Sequence, residues 1–398
     1  MTTALQPHSG NRPVIAIIGN RNAGKSSLLN RLMDQDVSIV SKTLGTTTDA
    51  VMKAYELIPA GAVTFYDTAG LDDEGDLGKK RIDATNKIIA RADVVVYVIG
   101  KSGLNNKIEN KLHELHLKGV KVIPVANFSD SRKEDKYLDA VLKLYNGVYV
   151  SAKTGAGIEN LKKRLADVVL SINSGKTMLP DFIKCGDTIV LVTPIDDAAP
   201  KGRMIMPEVQ ALREVLDANA TAVVCQPQEL AATLKSLRKN PALVITDSQA
   251  IKVVSEIVPE KIPLTTFSVL MARAKWNLNQ VAAGVHTIKT LNAGDKVLIA
   301  EGCSHRVTCH DIGRTLIPSL LEKCTGKKFD YTYVTGNDFP DKLSAYKLVI
   351  HCGGCMLNQK EIERRLKLLS EQSVAVVNYG MLISFTQGVF ERVTDQII

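Results

Sequence analysis

The chain has 398 residues, of which 45% are hydrophobic and 5% aromatic, and it carries a formal net charge of +8. No apolar run approaches the ~20 residues that span a bilayer, and the polar segment Met1–Pro13 lacks the apolar core of a signal peptide, so we expect a cytoplasmic protein with no membrane partner. The basic residues are dispersed and aromatic side chains are scarce, which argues against a nucleic-acid partner.

Alternating strand and helix signals predict a doubly wound α/β domain over residues 1–173. The predicted strands are Val14–Ile18, Ala62–Tyr66, Val94–Ile99, Val120–Ala126 and Val148–Val150. The predicted helices include Lys25–Met33, Gly78–Ala90 and Ile158–Ser171. The segment Ser171–Gly175 reads as a linker, because its small and polar residues interrupt the pattern.

Two smaller α/β domains are predicted after this linker, over residues 174–264 and 265–398. The middle domain has predicted strands at Thr188–Val192, Thr221–Cys225 and Ala242–Thr246, and predicted helices at Met206–Ala218 and Glu229–Lys239. The last domain has predicted strands at Lys296–Ala300, Tyr331–Val334, Lys347–Ile350 and Val374–Val377.

The segment Gly19–Ser26 matches the phosphate-loop pattern G-x-x-x-x-G-K-S/T, between a predicted strand and a predicted helix. Its glycines allow backbone N–H groups to curl around phosphates at a helix N-terminus. Lys25 can neutralise the β- and γ-phosphates, and the Ser26 hydroxyl can bind Mg²⁺. The predicted nucleotide contacts in this segment are Gly19, Asn22, Ala23, Gly24, Lys25, Ser26 and Ser27.

Two later motifs are placed to read the γ-phosphate and its Mg²⁺. Asp67 follows an apolar strand and can hold Mg²⁺ through water, while the Gly70 amide can sense the γ-phosphate. Thr47 is the predicted switch threonine that reaches Mg²⁺, with Thr46 or Thr48 as alternatives. We therefore predict that Lys25, Thr47 and Gly70 take part in catalysis.

Two further motifs indicate that the base is guanine. Asn127 and Asp130 follow a predicted strand, and the Asp130 carboxylate can accept hydrogen bonds from the guanine N1–H and N2–H₂ groups, which adenine cannot match. Ser151, Ala152 and Lys153 follow the last strand of the domain and can support the base. The order and spacing of these motifs predict a GTP/GDP site that uses Mg²⁺.

From about Pro13 to Ser171, the chain resembles the translation-factor-like GTPases of the Era and TrmE group. Phe128 departs from that group, which usually has a lysine there that packs on the base, and a phenylalanine could stack instead. Asn22 matches an asparagine that helps to hold K⁺ beside the phosphates, with an ordinary turn residue as the alternative interpretation. Leu71 stands where some GTPases have a glutamine, so we predict slow hydrolysis that K⁺ stimulates.

Cysteines and histidines recur together in the last domain, directly after two predicted strands. Cys303 and His305 follow one strand, and His351, Cys352 and Cys355 follow another. Four interpretations stand on chemistry alone: a zinc site with one histidine as the fourth ligand, an iron–sulfur cluster on the three cysteines, a Cys352–Cys355 redox pair, or inert buried cysteines.

The pattern C-x-H, a long gap, then H-C-x-x-C resembles the FeFe-hydrogenase maturation GTPases, whose GTPase, dimerisation and cluster domains follow the same order. This resemblance implies a 4Fe-4S cluster on Cys303, Cys352 and Cys355, with His305 and His351 as candidate ligands or hydrogen-bonding groups. It implies a homodimer that carries the two-iron subcluster precursor to apo FeFe-hydrogenase and works with two radical-SAM maturases. The alternative is an RNA- or ribosome-associated GTPase with a zinc-binding C-terminal domain.

Overall fold

Buried apolar runs along the chain form strands of three β-sheets. The computed structural model describes residues 12–33, 51–72, 75–173, 177–195, 204–302, 312–336 and 338–397. These residues form two compact units, one of residues 1–175 with 358–361, and the other of residues 176–357 with 362–398.

The first unit contains a six-stranded sheet with the strand order β2-β3-β1-β4-β5-β6. Its strands are β1 (Val14–Gly19), β2 (Val51–Leu57), β3 (Gly61–Asp67), β4 (Val94–Ile99), β5 (Lys121–Ala126) and β6 (Val148–Tyr149). Its helices are α1 (Lys25–Leu32), α2 (Gly75–Arg91), α3 (Asn106–Leu117), α4 (Lys136–Leu144) and α5 (Ile158–Asn173). All neighbouring strands are parallel except β2 and β3, which are antiparallel.

The sheet of the first unit is covered by helices on both faces. Every residue of β1 and β4 is buried, as expected for central parallel strands that read as continuous apolar runs. Separate hydrophobic clusters lie on the two faces of the sheet. Side-chain caps fix the start of two helices: Asn105 accepts from the Ile108 amide, and Asp135 accepts from the Leu138 amide. The predicted doubly wound α/β domain is confirmed.

The second unit contains two four-stranded parallel sheets, with the orders β10-β9-β7-β8 and β12-β11-β13-β14. The strands are β7 (Thr188–Val192), β8 (Thr221–Cys225), β9 (Leu243–Thr246), β10 (Leu264–Thr266), β11 (Lys296–Glu301), β12 (Asp330–Thr335), β13 (Leu348–His351) and β14 (Ala375–Asn378). The helices are α6 (Met206–Asp217), α7 (Leu230–Ser236), α8 (Ile251–Ile257), α9 (Phe267–Lys275), α10 (Leu278–Thr287), α11 (Ile317–Thr325), α12 (Gln359–Glu371), α13 (Tyr379–Thr386) and α14 (Phe390–Thr394).

Strand β10 crosses the predicted boundary between residues 264 and 265. It pairs in parallel with β9, so Thr265 and Thr266 belong to the second sheet. One continuous hydrophobic core joins this sheet to the third one. In the described ranges, no helix combines the length and the apolar composition that crossing a membrane requires.

Candidate functional site

The phosphate loop leaves β1 at Gly19 and enters α1 at Lys25. A Cβ atom on Gly19 would lie 2.4 Å from the Val98 carbonyl oxygen, and one on Gly24 would lie 2.3 Å from Asn127 Nδ2, so neither position accepts a side chain. Gly24 also has a φ of 88° at the start of the helix. The glycines of the motif are therefore required by close approach to neighbouring strands as well as by the turn itself.

Lys25 lies under the phosphate loop and is buried. Its Nζ donates to the Gly19 carbonyl at 3.1 Å and to the Asn20 carbonyl at 2.9 Å, which holds the ammonium group where phosphates would bind. Ser26 and Ser27 are exposed in the first turn of α1. The first turn therefore presents backbone amides and two hydroxyl groups on its open side.

The loop after β3 rests against the phosphate loop. The Leu71 amide donates to the Gly19 carbonyl, and the Thr68 hydroxyl donates to the Ile17 carbonyl at 2.8 Å. Asp67 Oδ1 is buried and has no hydrogen-bond partner among the described residues. A buried carboxylate oxygen without a donor suits a hydrated Mg²⁺ ion, which supplies the missing positive charge.

The sequence also predicts Thr47 and Asn22 at the phosphate end. Thr47, with its alternatives Thr46 and Thr48, lies outside the described residues. Asn22 has a left-handed backbone with a φ of 59° and is exposed, as in an ordinary turn.

Asn127 ties together the base-binding side of the site and is fully buried. Its Nδ2 donates to the Ala23 carbonyl at 3.1 Å, and its Oδ1 accepts from the amides of Phe128 and Ala152. One side chain thus links the phosphate loop, the end of β5 and the loop after β6. The sequence places this asparagine at the site, and the structure gives it the role of a brace.

Asp130 is exposed at the end of the same motif, where it can meet the edge of a base. The Ser151 hydroxyl donates to its Oδ1 at 2.6 Å, and the Thr154 amide donates to Ser151 in turn. The hydrogen bond from Ser151, with the charges of two nearby lysines, lowers the pKa of the Asp130 carboxyl. The group is therefore held as a carboxylate that accepts hydrogen bonds, which guanine requires.

Two arginines outside the sequence motifs hold these loops in place. Arg132 donates from Nε to the Asn127 carbonyl and from Nη2 to the carbonyls of Ile99 and Gly100, so it joins the ends of β4 and β5. Arg31 donates from α1 to the carbonyls of Ala152 and Lys153. A basic residue two positions after the base-reading carboxylate was the only sequence signal available for Arg132.

The second candidate site lies at the carboxyl end of β13, beside β11. Cys352 Sγ accepts from the Gly302 amide at 3.0 Å and from the Gly354 amide at 3.4 Å. Gly354 has a φ of 67°, which glycine adopts at low cost. Amide donors at a cysteine sulfur stabilise its thiolate form, which is the form that binds metals.

Lys275 and Trp276, at the end of α9, hold the loop that carries Cys355. Lys275 Nζ is buried and donates to the Leu357 carbonyl at 2.9 Å and to the Cys355 carbonyl at 3.3 Å. Trp276 Nε1 donates to the Gly353 carbonyl at 3.3 Å. Burial raises the pKa of the Cys355 thiol, while the charge of Lys275 opposes that rise. The loop is thus fixed by side chains from outside it.

His351 is fully buried between Trp276 and Arg365. Its Nδ1 donates to the Cys352 carbonyl at 2.7 Å, and its Nε2 accepts from Arg365 at 2.8 Å. Burial, followed by the charge of Arg365, lowers the pKa of His351 to about 3, so the ring is neutral. In this arrangement neither ring nitrogen of His351 is open to a metal.

The structure brings Cys352 and Cys355 into one loop and sets Gly302 beside them, whereas Cys303 and His305 lie outside the described residues. Across the described ranges, no group of three or more Cys, His, Asp or Glu side chains is gathered as a metal site. Cys352 and Cys355 are free thiols.

Three family models match successive parts of the chain. Residues 14–128 match the 50S ribosome-binding GTPase family, and residues 178–276 match the hydrogen maturase F dimerization domain. Residues 279–396 match the hydrogen maturase F tetramerization domain. The chain belongs to the hydrogen maturase F family. The resemblance seen in the sequence motifs is therefore confirmed. A domain that matches a GTPase family precedes the two maturase domains, and this match is evidence for binding of GTP, GDP and Mg²⁺ and for GTP hydrolysis.

Curated relatives match the nucleotide domain. A tRNA modification GTPase MnmE from Prochlorococcus marinus (strain NATL2A) is 37% identical over 152 residues, which cover 37% of this chain and 32% of that protein. GTPase Der from Kosmotoga olearia is 33% identical over 167 residues, which cover 38% of this chain and 37% of that protein. The chain thus spans about a third of the length of these relatives.

Two solved structures show partial similarity to this chain. Aquifex aeolicus Era bound to GDP·AlF₄⁻ is 20% identical with a TM-score of 0.33, covering 54% of this chain and 92% of that one. The G domain of the T. maritima FeoB iron transporter is 24% identical with a TM-score of 0.31, covering 40% of this chain and 99% of that one.

Proposed function

We propose that this hydrogen maturase is a GTP-hydrolysing scaffold that receives the precursor of the two-iron subcluster and delivers it to apo FeFe-hydrogenase. The observation that carries the proposal is the cysteine loop after β13, in a chain of the hydrogen maturase F family. Cys352 has two amide donors at its sulfur, and the residue before Cys303 provides one of them. Cys303, Cys352 and Cys355 would hold a 4Fe-4S cluster.

The donor set fits a cluster better than a closed zinc site. Three thiolates leave one iron for an exchangeable ligand, and that open position is the chemistry the cluster would supply to a cargo. A zinc site would need a fourth protein ligand, and His351 already uses both ring nitrogens. His305, which lies outside the described residues, remains the candidate for a histidine ligand.

The nucleotide domain acts in this proposal as a switch rather than as the source of energy for delivery. The loop that carries Gly70 already rests on the phosphate loop through the amide of Leu71. A γ-phosphate that binds the Gly70 amide would reorder this loop and change the surface offered to the hydrogenase and the two radical-SAM maturases. Leu71 cannot orient water, so hydrolysis is slow, and K⁺ beside Asn22 stimulates it.

The maturase assembles as an oligomer through its second and third domains. Strand β8 is an edge of the second sheet, and its Val224 side chain is 46% exposed. An edge strand with an exposed apolar side chain is a template for pairing with another chain. We therefore propose a homodimer that forms through β8, with further association through the third domain.

Purification without oxygen tests the cluster. The wild-type protein should be brown and should contain iron and acid-labile sulfide at roughly four atoms of each per chain. Cys355→Ser should lose most of the iron, because the serine hydroxyl is a poor ligand for iron. The matched control is Cys324→Ser, since Cys324 is an exposed free thiol on α11.

Two results would contradict the proposal. Stoichiometric zinc with no sulfide would favour the RNA- or ribosome-associated GTPase with a zinc-binding domain. Full retention of iron in both Cys355→Ser and Cys303→Ala would show that these cysteines do not hold the cluster. If the iron content is as expected, transfer is tested by mixing the loaded protein with apo FeFe-hydrogenase and measuring H₂ evolution, which should appear only with loaded protein.

A further inference from the structure

A lysine outside the sequence motifs lies beside the position where the guanine motif has Phe128. Lys101 directly follows Gly100 at the end of β4, and its Nζ lies 5.1 Å from the centroid of the Phe128 ring. This distance is within the ~6 Å over which an ammonium group is attracted to the face of an aromatic ring.

The Phe128 ring is held from two sides. A Cβ on Gly24 would lie 3.4 Å from Phe128 Cζ, so the ring packs against the phosphate loop on one side, and it meets Lys101 on another. Phe128 adopts a φ of 63°, in the left-handed region that a bulky side chain rarely occupies. The backbone therefore fixes where the ring projects, and its neighbours fix how it is turned.

Lys101 and Phe128 also share a cleft with the phosphate loop. A cleft of about 270 Å³ is lined by both side chains and by Asn20, Arg21 and Asn22. Lys101 is also close enough to Asp130 for its charge to contribute, with Lys153, to the lowered pKa of that carboxyl. The ammonium group therefore lies near both the Phe128 ring and the Asp130 carboxylate, the two groups predicted to contact the base.

We propose that Lys101 is a positioning residue of the guanine site, which acts by holding the Phe128 ring as the surface on which the base stacks. An ammonium on the ring restricts its rotation before the nucleotide arrives, and a preorganised surface binds more tightly than a mobile one. Lys101 and Phe128 together thus replace a single lysine at position 128. The proposal rests on the guanine-nucleotide site described above.

The test is the affinity for mant-GDP of the full-length protein in five forms: wild type, Lys101→Met, Lys101→Arg, Phe128→Leu and the double variant of Lys101→Met with Phe128→Leu. Lys101→Met keeps the aliphatic stem and removes the charge, so we expect binding about two- to five-fold weaker than wild type. Lys101→Arg should bind as wild type does, because arginine also stacks on an aromatic ring. In Phe128→Leu the ring is absent, and adding Lys101→Met should then have no further effect.

Hydrolysis kinetics separate positioning from general damage. Lys101→Met should raise KM with kcat unchanged, because the reacting phosphates are untouched. Lys118→Met, at an exposed lysine after α3, is the matched control and should leave KM unchanged. An equal loss of affinity from Lys101→Met in the presence and absence of the Phe128 ring would overturn the proposal, as would wild-type affinity in Lys101→Met. If the wild-type protein binds no guanine nucleotide, the proposed function fails instead.

Discussion

Single side chains in the nucleotide site connect loops that are far apart in sequence. Asn127 reaches Ala23 across 104 positions and Ala152 across 25 positions. Because it is fully buried, removing its amide would leave several backbone groups without partners, at a cost of about 1–3 kcal/mol each. A side chain that looks like a base contact in the sequence is thus also a structural requirement of the site itself.

The proposed role of Asn22 in binding K⁺ can be separated from its role in the turn. Asn22→Gly retains the left-handed backbone, with its φ of 59°, and removes the side-chain oxygen. GTP hydrolysis by the wild-type protein should be faster in K⁺ than in Na⁺, and Asn22→Gly should bring the two rates together. We expect the loss of this one ligand to slow hydrolysis in K⁺ by about ten-fold, roughly 1.4 kcal/mol of barrier.

The measurement is single-turnover phosphate release at matched ionic strength. Asn22→Asp serves as the control, since it keeps an oxygen at the same place and should keep the preference for K⁺. Equal rates in the two salts for the wild-type protein would show that Asn22 is only a turn residue.

At the residue scale, motifs were informative where chemistry dictates the residue type. The sequence motifs pointed to Lys25, Asp67 and Asp130, because phosphate, Mg²⁺ and guanine each require a particular group. It did not predict Arg132 or Arg31, because they donate to backbone carbonyls, and every residue has a carbonyl. Such contacts depend on which loops meet in space, and no local pattern encodes that.

At the element scale, the ends of β4 and β5 are joined by one guanidinium group. Arg132 donates to the carbonyls of Ile99, Gly100 and Asn127, and these carbonyls belong to the loops that also carry Lys101 and Phe128. The planar fork of arginine can reach several acceptors at once, which a lysine ammonium on its flexible stem does less well. The geometry of both loops therefore depends on Arg132.

Arg132→Met should lower the free energy of unfolding of the nucleotide domain by about 1–3 kcal/mol, because half-buried carbonyls lose charged donors. Arg132→Lys should recover only part of this loss. The measurement is urea unfolding of the nucleotide-free protein, followed by circular dichroism. Lys133→Met, at the next and exposed residue, is the control. Wild-type stability in Arg132→Met would refute the bracing role.

Buried strands were predicted almost to the residue, because continuous apolar runs such as β4 and β7 have few alternatives. The edge strand β2 was missed, since only Leu57 in it is buried and its remaining residues show no apolar run. The predicted helix Glu229–Lys239 is shorter in the structure, where α7 ends at Ser236 and Leu237 is already extended. Pro241 follows closely, and the chain cannot continue a helix into it.

At the scale of the whole molecule, the second and third sheets share one core, while the sequence suggested two separate domains. The Thr265 hydroxyl donates to the Val393 carbonyl at 2.8 Å, across 128 positions. The predicted boundary between residues 264 and 265 lies just before α9, which packs against both α6 and α13. A linker rich in glycine or proline, the usual signal of a boundary, does not occur between residues 264 and 276.

Val224→Lys should weaken self-association by about ten-fold or more, because a symmetric interface would bring the two introduced charges together. Light scattering after size-exclusion chromatography, over a range of protein concentrations, measures the effect. Val253→Lys, at a 54% exposed position on α8, is the control and should leave the assembly unchanged. Unchanged association in Val224→Lys would place the interface away from β8.

The hydrogen bond from the Gly302 amide to Cys352 Sγ joins positions 50 residues apart. Bringing such distant points together costs roughly 3–4 kcal/mol of loop entropy in a flexible chain. Here the pairing of β11 with β13, with Ala300 opposite His351, already holds these two positions close together. With the proposed cluster bound, the two strands would serve as the rigid backbone of a chelating agent. Any metal bound across them would be released cooperatively, when the strands separate, and its retention on heating would measure the integrity of the third sheet.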